Sequence, residues 1–376
     1  MKICFFGKFT NAIKGQTQGG AQLQIALLAK ALSLKNHQVT VIDPFAEEDF
    51  LSNDGIQIRK VPNWNKGIRG LRFFTTRVPS LFHLFKQQNT DYYFVTMRYY
   101  LYLIPFIISR KTKAKFILLI ASDIDVLSLY KRYKFEYKGN IGLLKYLTLS
   151  LPNDLVFNYL LKHSDMVLFQ HHDQKKLAGK LKNKSAIFHN ILDLKNLPQM
   201  ETLSEGYYIY VGSLTLLKGS EFLLTVAKST PTKTIMIVGQ PRDAISETIF
   251  TELKKCPNVI IKGWQKHDET LRLIAKAKAL INTSYFEGFP NIYLEAWALG
   301  IPVISLNVNP DNIINQFNLG VFCEGDLNQM IAYIENGNTD SFNRTSLIEY
   351  VARFHDFETT NERFTTILEE AFPFQG

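Results

Sequence analysis

The chain has 376 residues, 43 Lys and Arg against 34 Asp and Glu for a formal charge of +9, and a hydrophobic share of 46%, which together fit two globular domains of ordinary size. Three widely spaced cysteines (Cys4, Cys256, Cys323) exclude a disulfide framework and a cysteine-bound metal, and fit a reducing cytosol. No run of eighteen uncharged apolar residues is present to cross a bilayer.

In chain order, Met1–Gly7 is too short an apolar run for a secretory leader and predicts a first strand over Lys2–Gly7. Gln18-Gly-Gly-Ala-Gln22 then reads as a loop in which Gly19 and Gly20 allow close backbone approach, followed by a helical pattern over Ala21–Leu34 whose first N–H groups suit an anion. Further strands are expected at Gln38–Ile42, Ile56–Val61, Tyr92–Thr96, Lys115–Ile120, Met166–Phe169 and Ser185–Phe188, with helical patterns between most of them, such as Asp154–Lys162. Asp43 reads as a strand-end or turn acid, because no Gly-x-Gly-x-x-Gly fingerprint accompanies it. Tyr92–Ser109 is broken by Arg98 and reads as a strand plus an aromatic helix.

A polar stretch from Asp193 to Gly206 reads as a hinge, and a second alternation follows it. Its strands are expected at Tyr207–Val211, Thr234–Val238, Val259–Lys262, Ala279–Asn282, Pro302–Ser305 and Val321–Cys323. Helices are expected over Ser220–Lys228, Asp268–Lys276 and Leu327–Asn336, with a helical tail from Ser341 to Phe372. This alternation predicts parallel βαβ units, hence an α/β fold of two doubly wound, Rossmann-like domains facing each other across a cleft. The charge divides in the same way: 29 Lys/Arg against 13 Asp/Glu through residue 195, and 14 against 21 after it, which gives the first half an anionic partner.

The most informative stretch is Glu287-Gly-Phe-Pro-Asn-Ile-Tyr-Leu-Glu295, set between a strand and a helix and followed by Gly300-Ile-Pro-Val-Ile304. Pro290 suits the first helical position, and the free N–H groups near Phe289–Asn291 suit phosphate. Glu287 lies in the loop before the helix, and Glu295 lies about 7–8 Å further along the axis from the Pro290 start, at ~1.5 Å per residue. One acid is thus within reach of one end of a ligand and the second within reach of the other.

The pattern resembles the Glu-x7-Glu motif of family-4 retaining glycosyltransferases, which have the GT-B fold. The resemblance implies that Glu287 contacts the donor sugar and that Glu295 holds the ribose hydroxyls, with Gly288, Phe289, Pro290 and Asn291 between them in the donor site. Val211-Gly-Ser-Leu-Thr-Leu-Leu-Lys-Gly219 resembles the family's basic element. By that likeness Gly212 and Ser213 lie against the donor and Lys218 neutralises the leaving diphosphate. Ser213 stands where an Arg is usual, so other cations or dipoles must carry charge there. Gly239 and Trp264 end strands in loops that surround the base in that family, where Trp264 would pack on the base, although it is nearly as readable as a core residue. Gly19 and Gly20 look like the loop that faces donor phosphates or acceptor. Ser122 and Asp123 occupy the acceptor-side loop where relatives carry His, so no catalytic base is assigned.

Ile120-Ala-Ser-Asp-Ile-Asp125 contains Asp-x-Asp but no second ligand cluster. His171, His172 and His189 lack a recognisable third ligand, and no metal is expected. Asn190-Ile-Leu-Asp193 reads as turn and cap chemistry. Lys66–Lys86 and Tyr130–Leu151 mix cations with large apolar side chains and suit an anionic leaflet, and no nucleic-acid motif is present.

The expectation is a cytoplasmic enzyme at the inner face of the cell membrane, with residues 1–195 as acceptor-side domain and 196–355 as donor-binding domain. The resemblance further implies that residues 356–376 form a helix returning to the first domain. It also implies that the enzyme moves a sugar from a nucleotide-diphosphate donor, UDP-sugars first among them, to a saccharide or polyprenyl-diphosphate-linked acceptor in surface polysaccharide synthesis, without cofactor or metal. A GT-B nucleotide-sugar epimerase and a non-catalytic scaffold binding polyanions or membranes are the alternatives.

Overall fold

Two sheets, of eight and six strands, frame the described residues. The computed structural model describes residues 1–16, 19–68, 71–137, 142–198, 205–339 and 341–373. Gln18, Arg69, Gly70, 138–141 and 199–204, the last being much of the expected hinge, lie outside the described residues.

The first sheet comprises β1 (Lys2–Phe6), β2 (Gln38–Asp43), β3 (Phe50–Leu51), β4 (Gln57–Lys60), β5 (Tyr92–Thr96), β6 (Lys115–Leu119), β7 (Met166–Phe169) and β8 (Lys184–Ile187), in the order β3-β4-β2-β1-β5-β6-β7-β8. All pairs are parallel except β3 with β4. The two-residue β3 has no period to read and was not expected. The second sheet, β9 (Tyr208–Val211), β10 (Ile235–Val238), β11 (Val259–Gly263), β12 (Ala279–Asn282), β13 (Val303–Ser305) and β14 (Gly320–Phe322), is wholly parallel in the order β11-β10-β9-β12-β13-β14.

Parallel strands are covered by helices on both faces, which is why these segments are continuous apolar runs. Alternate residues enter opposite cores. Ile3 and Phe5 pack on one face of the first sheet, and Cys4 and Phe6 on the other. In the second sheet Ile209 and Tyr208 divide in the same way.

The tail forms two helices, Arg344–Phe354 and Phe357–Ala371, broken at His355 and Asp356. Leu347, Tyr350 and Val351 of the first enter the second domain's core with Trp297. Phe364 and Leu368 of the second enter the first domain's core with Phe5 and Phe94. The chain therefore crosses twice between the domains. The crossings meet where the Leu192 N–H donates to the His355 carbonyl at 2.9 Å.

No helix among the described residues is long and apolar enough to cross a membrane.

Candidate active site

The carboxyl ends of β9 and β12 are the switch point of the second sheet, the place where open α/β sheets bind ligands. After β9, Thr215 caps the short turn Leu216–Lys218, its hydroxyl accepting the Lys218 N–H at 3.3 Å. Gly219 then adopts a left-handed conformation (φ 63°), and a Cβ there would stand 2.0 Å from the Thr283 carbonyl oxygen. After β12, Thr283 Oγ1 donates to the Lys218 carbonyl at 2.9 Å, and the Tyr285 N–H to the Leu217 carbonyl at 3.0 Å. These bonds set the register of the two loops. They bring Lys218 Nζ onto Glu287 Oε1 as an ion pair, and Ser284 Oγ donates to the same oxygen at 2.8 Å.

Two neighbouring strands end in the same crowded way. A Cβ on Gly239 (φ 151°) would stand 1.9 Å from the Gly212 carbonyl oxygen, and the Gly239 N–H donates to the Gly263 carbonyl at 2.8 Å. Three loops thus converge on one cleft of about 1190 Å³ between the sheets, and its lining includes Gly212, Ser213, Lys218, Gly239, Trp264, Glu287 and Glu295.

The helix Asn291–Ala298 carries Glu295. Its side chain is 7% exposed, with His267 Nε2 4.0 Å from Oε1. Burial pushes the Glu295 carboxyl up to about 8 and His267 down. A carboxyl in that state is poised to ionise when a ligand offers it hydroxyl donors.

The first domain clamps the loop between the two acids. The Asp123 N–H donates to the Glu287 carbonyl at 2.8 Å. Gly288 lies against the first domain, where a Cβ would meet Gln170 Oε1 at 1.9 Å and the Ala121 carbonyl at 2.7 Å. Gln170 Oε1 accepts the Phe289 N–H at 2.7 Å, and Gln170 Nε2 donates to Asn190 Oδ1 at 2.8 Å. Asn190 Nδ2 in turn donates to the Phe289 carbonyl and to Asn291 Oδ1, both at 2.7 Å, while Asn291 Nδ2 donates to the Gly20 carbonyl at 2.9 Å.

Beside this clamp Arg98 is saturated by carboxylates: Asp125 at 2.9 Å, Asp154 at 2.8 Å and Glu136 at 2.6 Å. Burial raises Glu136 and Asp125 against the pull of that guanidinium.

Residues 205–337, which hold both of these loops and all six strands of the second sheet, match the family described as glycosyl transferases group 1. The match covers about a third of the chain and lies wholly within the second domain. An uncharacterized glycosyltransferase of Methanocaldococcus jannaschii is 29% identical over 40% of this chain and 42% of its own length. An uncharacterized 41.2 kDa protein in the cps region of Klebsiella pneumoniae is 26% identical over 40% of this chain and 44% of its own. The chain thus spans less than half the length of the curated relatives it matches. Among solved structures, sucrose-phosphate synthase from Thermosynechococcus elongatus superposes with a TM-score of 0.77 at 15% identity, covering 99% of both chains. Anabaena HepE in complex with UDP-glucose superposes with 0.69 at 14% identity over 98% of this chain and all of that one. The chain has the GT-B fold.

Most residues singled out from the sequence line the one cleft: Gly212, Ser213, Lys218, Gly239, Trp264, Glu287, Gly288, Phe289, Pro290, Asn291 and Glu295, joined by Gly19, Gly20 and Ser122 from the first domain. Trp264 is 53% exposed, so it is a cleft wall and not a core residue.

Three expectations change. Pro290 is the N-cap and the helix begins at Asn291, because its ψ of 119° is extended. Phe289 is buried in the second domain's core and its N–H is taken by Gln170, so the expected anion-binding amide at that position is occupied. Asp123 is not part of the cleft lining. Its Oδ1 accepts from His171 Nε2 and Gln174 Nε2, each at 3.0 Å, and only its main chain reaches Glu287. His171 Nδ1 accepts the Gln174 N–H, which fixes the tautomer that donates to Asp123.

His171, Asp173 and Asp311 bring ligand-type atoms within 4.8 Å of one another. The Asp311 carboxylate is engaged as a cap, accepting the N–H groups of His172 and Asp173 at 2.9 and 2.8 Å. Asp43 is a turn acid as read, its Oδ2 bound by the Phe9 and Thr10 N–H groups at 3.0 and 2.9 Å.

Gln170, Asn190, Arg242 and His267 also line the cleft and were not selected from the sequence. Asn190 carries a signal, the start of Asn-Ile-Leu-Asp, which in sequence reads as turn chemistry. Gln170, directly after β7, had the topological signal of any strand-end residue.

Proposed function

We propose that this chain is a retaining glycosyltransferase that moves a sugar from a nucleotide-diphosphate donor, a UDP-sugar, to a hydroxyl of a saccharide acceptor. The observation that carries the reading is the arrangement of two acids. Glu287 and Glu295 open onto one cleft from opposite ends of a clamped loop, and Lys218 meets the first of them. Glu295 holds the ribose hydroxyls, Trp264 stacks on the base, and Glu287 contacts the donor sugar. The glycine-ended loops allow backbone approach along the ligand between them. The likeness to a structure solved with UDP-glucose supports the donor class.

The domain of residues 196–355 takes the donor, and residues 1–195 offer the acceptor wall through Gly19, Gly20 and Ser122. Bond breaking at the anomeric carbon leaves charge on the diphosphate, and the departing phosphate takes the acceptor proton. The protein's work is then positional and electrostatic, with no metal required. A relative in a cps region supports a place in surface polysaccharide synthesis, with a lipid-linked acceptor at the inner face of the cell membrane.

A thermal-shift screen with UDP-, GDP-, ADP- and TDP-sugars tests the donor. A UDP-sugar should stabilise the wild type and not Glu295→Ala, and free UDP should be released only when a saccharide acceptor is added. Donor consumption with a rearranged sugar and no acceptor would instead establish the epimerase reading. Absence of stabilisation by every nucleotide sugar would leave only the scaffold reading.

A further inference from the structure

We propose that Arg242 is the residue that binds the donor's diphosphate, an assignment that rests on the nucleotide-sugar reading above. A nucleoside diphosphate needs uncompensated positive charge or aimed N–H groups at its phosphates. The described cleft lining holds three permanently charged cations: Arg98, Lys218 and Arg242. Arg98 is spent on Asp125, Glu136 and Asp154. Lys218 is neutralised by Glu287. The helix end after Glu287 contributes less than its position suggests, because Gln170 takes the Phe289 N–H and Pro290 has none. Arg242 is the one of the three whose side chain has no ion pair among the described residues. Its neighbour Asp243 forms no ion pair with it among the described residues, and Asp243 Oδ1 caps the next helix by accepting the Ser246 N–H at 2.7 Å.

The backbone explains why Arg242 stands at the right place. The Arg242 N–H donates to the Leu214 carbonyl at 3.2 Å, and the Leu214 N–H donates to the Gln240 carbonyl at 3.0 Å. Leu214 and Pro241 form a parallel bridge. The loop after β10 is thereby tied to the loop after β9, which runs through Ser213 to Lys218. Arg242 sits beside Ser213, the position at which the sequence lacks a cation. An exposed guanidinium there pairs with two phosphate oxygens at once, and it does not have to leave a carboxylate to do so.

Binding of UDP and of uridine to the full-length chain, followed by calorimetry, tests this. Arg242→Ala should weaken UDP about tenfold or more, the loss expected for a charge-assisted pair, while uridine stays within about twofold. Ser213→Arg in the Arg242→Ala background should restore most of the UDP affinity, because it returns a cation to the adjoining loop. Unchanged discrimination between UDP and uridine in Arg242→Ala overturns the assignment and leaves the donor reading standing. A wild-type chain that binds uridine and UDP equally also overturns it. Failure of the wild type to bind either compound removes the donor reading and this assignment together.

Discussion

The main-chain N–H of Asp123 donates to the main-chain carbonyl of Glu287 at 2.8 Å, a bond from the first domain to the loop that carries the candidate catalytic acid of the second. Main-chain partners fix positions more tightly than side chains can. The Gln170–Asn190–Asn291 relay adds the same constraint a few residues on. The site is consequently assembled by two domains, and separation of the domains would disassemble it.

Gly288 offers a direct test. Its missing Cβ is what lets the loop lie on the Ala121 carbonyl, since an added methyl would stand 2.7 Å from that backbone oxygen. Gln170 can swing away, but the carbonyl cannot. Gly288→Ala should therefore displace Glu287 from the first domain and lower kcat/KM by about a hundredfold, the scale of a 1 Å misplacement. The melting temperature should move only by the equivalent of about 1–3 kcal/mol of overpacking. Wild-type kinetics in Gly288→Ala would show that the interdomain contact is incidental.

Glu295 predicts a pH dependence. Its folded value of about 8 stands above the ordinary 4.5 because of burial. Between those values the folded chain keeps a proton that the unfolded chain has released, so this group makes stability fall as pH rises from 4.5 toward 8. Glu295→Gln removes the titration. The variant should match wild type near pH 5 and melt higher near pH 8, by the equivalent of a few kcal/mol at most. On the proposed function ribose hydroxyls would donate to the ionised form, so donor affinity of the wild type should rise with pH up to about 8, and the variant should bind weakly throughout. Parallel melting curves from pH 5 to 8 for the two proteins would contradict the burial argument.

The β-strands were legible because a parallel sheet writes itself as unbroken apolar runs. β5, Tyr92–Thr96, and β12, Ala279–Asn282, lie where the sequence places them. Glu287 and Glu295 were legible because a glycine, a proline and a helix fix their spacing within one local segment. The clamp was not. Gln170 and Asn190 lie 119 and 99 residues from Phe289, and their bonds arise only once two sheets face each other. Asp123 misled for a related reason: its position beside the cleft was readable, but the rotation of its carboxylate toward His171 depends on a helix that begins about fifty residues later.

Lys218 and Glu287 form an ion pair at the mouth of the cleft. Removing the lysine leaves Glu287 in a cleft with Ser284 Oγ as its remaining side-chain donor among the described residues. Lys218→Ala should lower turnover by about a hundredfold, because Glu287 loses the cation that positions it in the cleft. Lys218→Arg should not rescue it, because a planar fork does not replace a point charge held by one oxygen. Steady-state rates beside melting curves check this. A turnover loss that merely tracks lost stability would remove Lys218 from the chemistry.

The basic aromatic segments of the first domain yield the last prediction. Phe74 is 70% exposed and Leu144 77%, with Ile68, Leu71 and Leu143 also exposed. Lys66, Arg72, Arg77 and Lys145 lie among them in sequence. Cations and apolar side chains bind a membrane by terms that salt separates, because ions screen the first and leave the second. Full-length protein should sediment with vesicles containing anionic lipid and not with neutral ones. Replacing Lys66, Arg72 and Arg77 by Gln should abolish the low-salt binding and flatten the salt dependence. Replacing Leu143 and Leu144 by Ser should weaken binding by a similar factor at every salt concentration. Both sets leave the cleft untouched, so transfer to a soluble saccharide acceptor should persist in each while transfer to a vesicle-embedded acceptor falls. A wild type that ignores anionic vesicles at low salt would reject membrane attachment, and the exposed leucines would then need a protein partner to explain them.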